Sequence, residues 1–183
     1  MDNGGNKSEV ERSNRSTDGL HLLRWIDPKT LTKGEVEKLW DNLKSQDYTF
    51  DDSTRGRGDI FVAGMIAPQT EHFAFGEDGH VSVQNIVPKV NANIRLVMWN
   101  KVPISKTVEM GRELIKYLFD EYELNRVSAF IPTFSDQAIR LVTLLGFKYE
   151  GEVRGSFLTG GKYYGTTIYG LLRSEYFKKE VTH

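Results

Sequence analysis

The sequence predicts a mixed α/β domain, and three observations carry that prediction. Apolar residues recur at helical spacing in three separated stretches, around residues 32–45, 105–122 and 135–145. Short apolar or alternating runs lie between them, and the second half of the chain interleaves the two patterns. Strands separated by helices need a crossover connection, so that half implies at least one parallel strand pair inside the sheet. With 183 residues, 39% of them hydrophobic and 27% charged, the chain can bury the core of one domain.

The elements follow in chain order. The opening stretch to about Gly19 is rich in Asn, Ser, Gly and charge, so residues 1–19 are expected to be a flexible tail. His21–Ile26 is a short apolar strand that ends before Pro28. Thr32 with Glu35 three residues on forms a capping box that opens a helix through about Ser45. Its apolar face is Val36, Leu39, Trp40 and Leu43, with Trp40 expected to pack into the core. A polar loop, Asp51–Asp59, leads to Ile60–Ala67, an apolar run that fits a buried strand or a helical turn equally well.

From Glu71 the pattern is a hairpin turning at Glu77-Asp78-Gly79, followed by a third strand, Asn91–Trp99. A long helix comes after Pro103 and Ser105, with a stripe of Val108, Gly111, Ile115, Leu118, Phe119 and Tyr122; Gly111 is read as a point of close approach to the sheet. Val127–Pro132 is a strand, Ser135–Leu145 a helix stopped by Gly146, and Phe147–Leu158 and Lys162–Arg173 are strands joined at Gly160-Gly161. The domain is expected to span 20–177, with 178–183 a C-terminal tail.

Composition excludes several function classes. There is no Cys, hence no disulfide framework, thiolate nucleophile or thiolate metal site, and the four His are scattered without metal-ligand spacing. No metal is expected. A net charge of −1, from 24 basic and 25 acidic residues, disfavours a nucleic-acid binder, leaving only a local cluster of Arg55, Arg57 and Lys101 to consider. No apolar run reaches the roughly 20 residues of a membrane span and no signal-peptide core is seen, so a soluble, cytoplasmic protein is expected.

The run Tyr117–Val127 (YLFDEYELNRV), then SAFIP, then Ala138–Gly155 (AIRLVTLLGFKYEGEVRG), then Gly161–Arg173 (GKYYGTTIYGLLR) with Glu175-Tyr176 resembles the GCN5-related N-acetyltransferase (GNAT) superfamily. Within it, the branch that acetylates ribosomal-protein N-termini, the RimJ/RimL type, is the most similar. The resemblance covers about 75 residues in order and spacing. It implies a mostly antiparallel sheet, flanked by helices and splayed at one parallel pair, Asn91–Trp99 and Val127–Pro132, with acetyl-CoA wedged between them. It further implies that the pantetheine arm pairs with the backbone of Leu96, Val97, Met98 and Trp99. The pyrophosphate would lie on backbone amides near Ser105, Lys106 and Thr107, at a helix N-terminus that favours anions. Ser135 takes the place of an Asn that touches the cofactor in the family, and Ala138 matches the small residue three positions on.

The departures are specific. Ser105 and Thr107 stand where the family's phosphate loop has Gly and Gly or Ala, and Val142 stands where many members place a Tyr that protonates the leaving thiolate. On Asn91–Trp99, one face carries Asn93, Arg95, Val97 and Trp99 and the other Ala92, Ile94, Leu96 and Met98, with no carboxylate on either. Glu71, His72 and His80 are expected to be exposed. Tyr149, Tyr163 and Tyr164 lie where the last hairpin should approach an acceptor amine, and Leu141, Leu144 and Leu145 should pack under the sheet. No catalytic residue is assigned.

The implied function is an acyltransferase that moves an acetyl group from acetyl-CoA directly to a primary amine of a protein, peptide or small molecule. The alternative is a GNAT-fold binding or assembly module without catalysis. Partners would be the amine acceptor and, in one arrangement, a second copy of the chain.

Overall fold

The computed structural model describes residues 19–180; the tail assigned to residues 1–19 lies almost wholly outside them. The strands are β1 (Arg24–Ile26), β2 (Glu71–Phe75), β3 (Gly79–Val87), β4 (Asn91–Met98), β5 (Arg126–Pro132), β6 (Lys148–Thr159) and β7 (Lys162–Leu172). The helices are α1 (Lys33–Lys44), α2 (Gly58–Met65), α3 (Ile104–Glu121), α4 (Asp136–Leu145) and α5 (Arg173–Glu180). The strands form one sheet in the order β1-β2-β3-β4-β5-β7-β6. Among the described residues only the β4–β5 pair is parallel.

The sheet is covered on both faces, one by an extensive apolar core and the other by a smaller cluster. Phe73, Val81, Val83, Ala92, Val127 and Ala129 share the main core with Met110, Leu114, Ile115, Leu118 and Phe119 of α3 and Leu141, Val142 and Leu145 of α4. On the opposite face Val97 joins Leu43 of α1 and Phe61 and Met65 of α2, with Trp40, Tyr48, Phe50 and Trp99 packed around them. Trp40 packs as expected, its ring centre 5.0 Å from that of Phe50 and 5.2 Å from that of Phe61. Each large side chain so buried contributes about 1.5–3 kcal/mol.

Local signals act as read in several places. The Thr32 hydroxyl accepts from the Glu35 N–H at 3.3 Å while the Glu35 carboxylate accepts from the Thr32 N–H at 2.8 Å, a complete capping box. Gly146 ends α4 at φ +95°, a conformation that side chains resist, so the helix stops there and Phe147 turns into β6.

Elsewhere the structure corrects the reading. β1 begins at Arg24 and not at His21, because the N–H groups of Leu22 and Leu23 are captured by the Glu113 carboxylate of α3 at 2.9 and 3.1 Å. The ambiguous run at Ile60 is helical, as α2. The β2–β3 connection is Gly76-Glu77-Asp78, with the positive φ (+52°) at Gly76; Gly79 is already in β3, opposite Met98, where an added Cβ would stand 2.8 Å from the Val97 carbonyl oxygen. Gly111 gives room to a helix and not to the sheet: its Cβ would meet the Leu145 side chain of α4 at 2.8 Å. Leu144 is 48% exposed, so it does not pack under the sheet.

The expected exposure of Glu71, His72 and His80 is also overturned, since all three are buried. α2 folds over this part of the sheet, the Met65 backbone reaching His72. Glu71 accepts a hydrogen bond from the Tyr117 hydroxyl at 3.4 Å.

Candidate active site

β4 and β5 are paired only from Asn91↔Arg126 to Ile94↔Ala129. Beyond Ile94 the β4 ladder continues on its β3 side alone, through Val81↔Leu96, His80↔Val97 and Gly79↔Met98. The strands therefore part toward their C-terminal ends. Peptide groups alternate sides along a strand, so Leu96 and Met98 turn N–H and C=O in the same direction as Ala92 and Ile94, into the opening, while Val97 turns toward β3. Of the four positions expected to pair with pantetheine, only Leu96 and Met98 thus present backbone groups to the gap, and Trp99 binds back to the β2–β3 turn through Asp78 at 3.0 Å.

One of those two positions already has a partner. The Tyr48 hydroxyl donates to the Met98 carbonyl at 3.1 Å and accepts from the Met98 N–H at 3.2 Å. Burial raises the Tyr48 pKa, against smaller opposing effects of the Met98 hydrogen bond and Arg95, so the hydroxyl keeps its proton at neutral pH.

α3 begins on the carboxyl side of the same opening. The N–H groups of Lys106 and Thr107 bond to the Pro103 carbonyl at 3.1 and 3.2 Å. The preceding amides of Ile104 and Ser105 have no earlier helical turn to bond, so they and the helix dipole are available to an anion. Ser105 is exposed, whereas Thr107 is 6% exposed with its hydroxyl bonded to Pro103 O at 3.3 Å; that hydroxyl is spent inside the helix. Lys106 leans over the Phe75 ring, its Nζ 5.4 Å from the ring centre.

Across the opening, after β5, Ser135 precedes α4 without capping it by its side chain. Its Oγ is buried and has no hydrogen-bond partner among the described residues. Such an atom is costly to leave alone and is the kind a bound ligand satisfies. Ala138, one turn into α4, packs partly buried against the core. Val142 is buried in that core at 6% exposure, so the vacant tyrosine position is closed by packing.

Next to the end of β5 a cleft of about 570 Å³ lies between the loop after α1 and the β6–β7 hairpin, lined by Asp47, Asp52, Arg55, Phe134, Lys162 and Tyr164 among others. Arg55 builds one wall: its guanidinium donates to the carbonyls of Lys44, Asp47 and Phe50 at 3.0–3.1 Å and to the Thr159 hydroxyl at 3.3 Å. Asp52 accepts from the N–H groups of Gly160 and Gly161 at 3.2 and 3.0 Å. Of the three tyrosines expected near an acceptor, Tyr164 lines this cleft, Tyr163 is 73% exposed and Tyr149 packs on Tyr169. A second cleft, about 460 Å³ and lined by Trp25, Met65 and Glu71 among others, lies at the β1 edge, away from the parting strands.

Under α1 and α2 the sheet carries a buried polar group that the sequence did not disclose. His72 Nδ1 and His80 Nε2 are 3.2 Å apart, and Arg95 lies near His80 with its guanidinium 5.7 Å from the centre of the Phe50 ring. Burial pushes the imidazoles down, to about 4 for His72 and about 3 for His80, where His72 and Arg95 add to the effect. Both are neutral at pH 7. Arg57 is held by Asp59 at 2.6 Å and Arg55 by the loop, so the arginines do not form a shared basic patch. Among the described residues no three metal-ligating side chains come together, and no helix is long and apolar enough to cross a membrane.

Tyr48 carries no signal in the sequence because it sits in irregular chain, where no periodicity marks it, and Arg55, in the same connection, reads there only as part of a basic cluster with Arg57 and Lys101. Arg95 had a signal, as a lone charge in an otherwise apolar or amide-bearing strand.

No model of a known protein family matches the chain. Over 68 residues it is 32% identical to the SPbeta prophage-derived uncharacterized N-acetyltransferase YokL of Bacillus subtilis, covering 37% of this chain and 38% of YokL. Over 105 residues it is 29% identical to YdaF of the same organism, a candidate ribosomal N-acetyltransferase, covering 54% of this chain and 55% of YdaF. The matched part thus spans between 38% and 55% of those relatives' length. Among solved structures, a chimera of the Vibrio cholerae spermidine N-acetyltransferase SpeG and hSSAT shares 16% identity at a TM-score of 0.67, over 85% of this chain and 96% of that one. The Vibrio cholerae enzyme in complex with CoA and spermine gives a TM-score of 0.63 at 16% identity, over 85% and 98% of the two chains. A GNAT-family acetyltransferase from Bacillus anthracis gives 0.61 at 17% identity, over 84% and 95%. The seven-stranded mixed sheet with its one parallel pair is the GNAT fold expected from the sequence.

Proposed function

We propose that the protein is an acetyl-CoA-dependent N-acetyltransferase acting on a primary amine. The observation that carries the reading is the parting of β4 and β5 after Ile94 and Ala129, which leaves the strand-pairing groups of Leu96 facing an opening at the N-terminus of α3. Strand addition at Leu96 and Met98 would hold the pantetheine arm, and the Ile104 and Ser105 amides with Lys106 would hold phosphate. The Ser135 hydroxyl and the small Ala138 would border it from α4. When bound, acetyl-CoA supplies an acyl group on a thioester, a leaving group good enough that positioning and backbone donors carry much of the rate.

The chain's own contribution is to align and exclude. The cleft beside Phe134 and Tyr164 admits the acceptor from the face opposite α3, so donor and acceptor meet at the sheet's parted edge. His72 and His80, held neutral and with depressed basicity, are poor bases, and no carboxylate projects from β4; the amine proton leaves through water. The names of the relatives point to a ribosomal acceptor in one case and a polyamine in the other. Spermine carries primary amines, and a primary amine, whether on a protein, a peptide or a small molecule, is the acceptor group this reading commits to. The branch this reading favours is the RimJ/RimL type, which the sequence motifs resemble.

Acetyl-CoA at about 100 times its Kd is expected to stabilise the fold by about 2.7 kcal/mol, raising Tm by roughly 5–10 °C in a thermal-shift titration. A melting curve unmoved by saturating acetyl-CoA and CoA would overturn the reading in favour of a GNAT-fold binding module.

A further inference from the structure

The β4 edge that the reading above assigns to acetyl-CoA is half closed. Leu96 and Met98 both aim their peptide groups into the opening, yet Met98 has its N–H and its C=O satisfied by a single side chain, the Tyr48 hydroxyl, at 3.2 and 3.1 Å. A hydroxyl that donates and accepts at one residue imitates the pairing of a neighbouring strand. Tyr48 is not in a helix or strand. It lies in the 45–57 connection after α1, its ring among the apolar residues between the sheet and α1 and α2. Arg55 ties that connection to the carbonyls of Lys44, Asp47 and Phe50, which flank Tyr48 in sequence.

We infer that Tyr48 is a displaceable plug on the donor-binding edge: its hydroxyl occupies the Met98 pairing groups in the free protein, and a CoA arm that extends along β4 to Met98 must release it. The inference rests on the acetyl-CoA reading of this opening. It assigns to Tyr48 a role in setting donor affinity, through a contact that exists only when the edge is empty.

The test is calorimetric titration of CoA, which cannot turn over, into the wild-type protein and into Tyr48→Phe. The variant keeps the ring and its packing and loses only the hydroxyl, so Met98 enters the binding reaction without a protein partner to give up. It is expected to bind CoA roughly 3- to 10-fold more tightly, the range that one net hydrogen bond allows. Equal or weaker CoA binding by a variant whose melting temperature and circular dichroism match the wild type would overturn the inference and leave the acetyl-CoA reading intact. CoA binding to neither protein would overturn both. If Tyr48→Phe is too unstable to titrate, the wild-type Met98 amide resonance decides: saturating CoA must shift it, and an unmoved resonance while Leu96 shifts overturns the plug alone.

Discussion

Lowering the pH from 7.5 to 5 is expected to cost this protein stability well before its carboxylates titrate. His72 and His80 are buried side by side, and burial holds their folded-state pKa values at about 4 and about 3, against 6.5 for the free side chain. Above pH 6.5 both states hold neutral imidazoles, and the pair contributes its full stability. Below it the unfolded chain takes up protons that the folded one refuses, so stability falls with pH until the folded pKa values are reached. The slope is roughly 1–3 kcal/mol per pH unit, for one to two protons. Asp59, held down to about 2 by the Arg57 hydrogen bond, and the lowered carboxyls of Asp51 and Glu150 lose their contributions at lower pH, as it falls from the ordinary carboxylate range toward their folded values. Urea unfolding at pH 7.5, 6.5, 5.5 and 5 separates the two windows. The double variant His72→Asn, His80→Asn should be nearly flat between pH 6.5 and 5, and an unchanged slope in that variant would remove the pair as the cause.

Arg55→Ala is expected to destabilise the fold by about 2–3 kcal/mol, lowering Tm by roughly 5–10 °C. One guanidinium satisfies three carbonyls between Lys44 and Phe50 and reaches Thr159 of β6, so its removal strands several acceptors at once and unties the cleft wall from the β6–β7 hairpin. Arg55→Lys should recover little, because an ammonium cannot present the planar fork. Urea unfolding combined with limited proteolysis tests this: cleavage within residues 45–57 should rise in both variants. A loss under about 0.5 kcal/mol, typical of an ordinary surface substitution, would contradict the role given to Arg55.

The GNAT fold was legible in the sequence because each of its pieces carries a local signal. The Thr32–Glu35 box, the Gly146 stop and the alternation on Asn91–Met98 act over a few residues, and the structure repeats them. Where local signals conflicted or gave out, the reading lost its hold. Ile60–Ala67 is apolar on all sides, so periodicity could not tell helix from strand, and with α2 undecided nothing indicated that His72 and His80 would be covered. The turn was placed one step late because Asp78-Gly79 imitates a hairpin signal that Gly76 in fact supplies. The sequence resemblance points to Leu96 and Met98 as the edge proposed for the donor, but the Tyr48 contact to Met98 joins residues 50 positions apart and leaves no local trace. The tertiary packing of irregular segments is what a one-dimensional pattern does not encode.

The central claim is that acetyl-CoA occupies the opening between β4 and β5, and amide-resolved NMR titration with CoA tests it most directly. The expected result is saturable shifts concentrated at Leu96, Met98, Ser105, Lys106, Thr107, Ser135 and Ala138, with the β1 edge near Trp25 unaffected. No shifts at saturating CoA, or shifts centred on the Trp25 cleft, would contradict it.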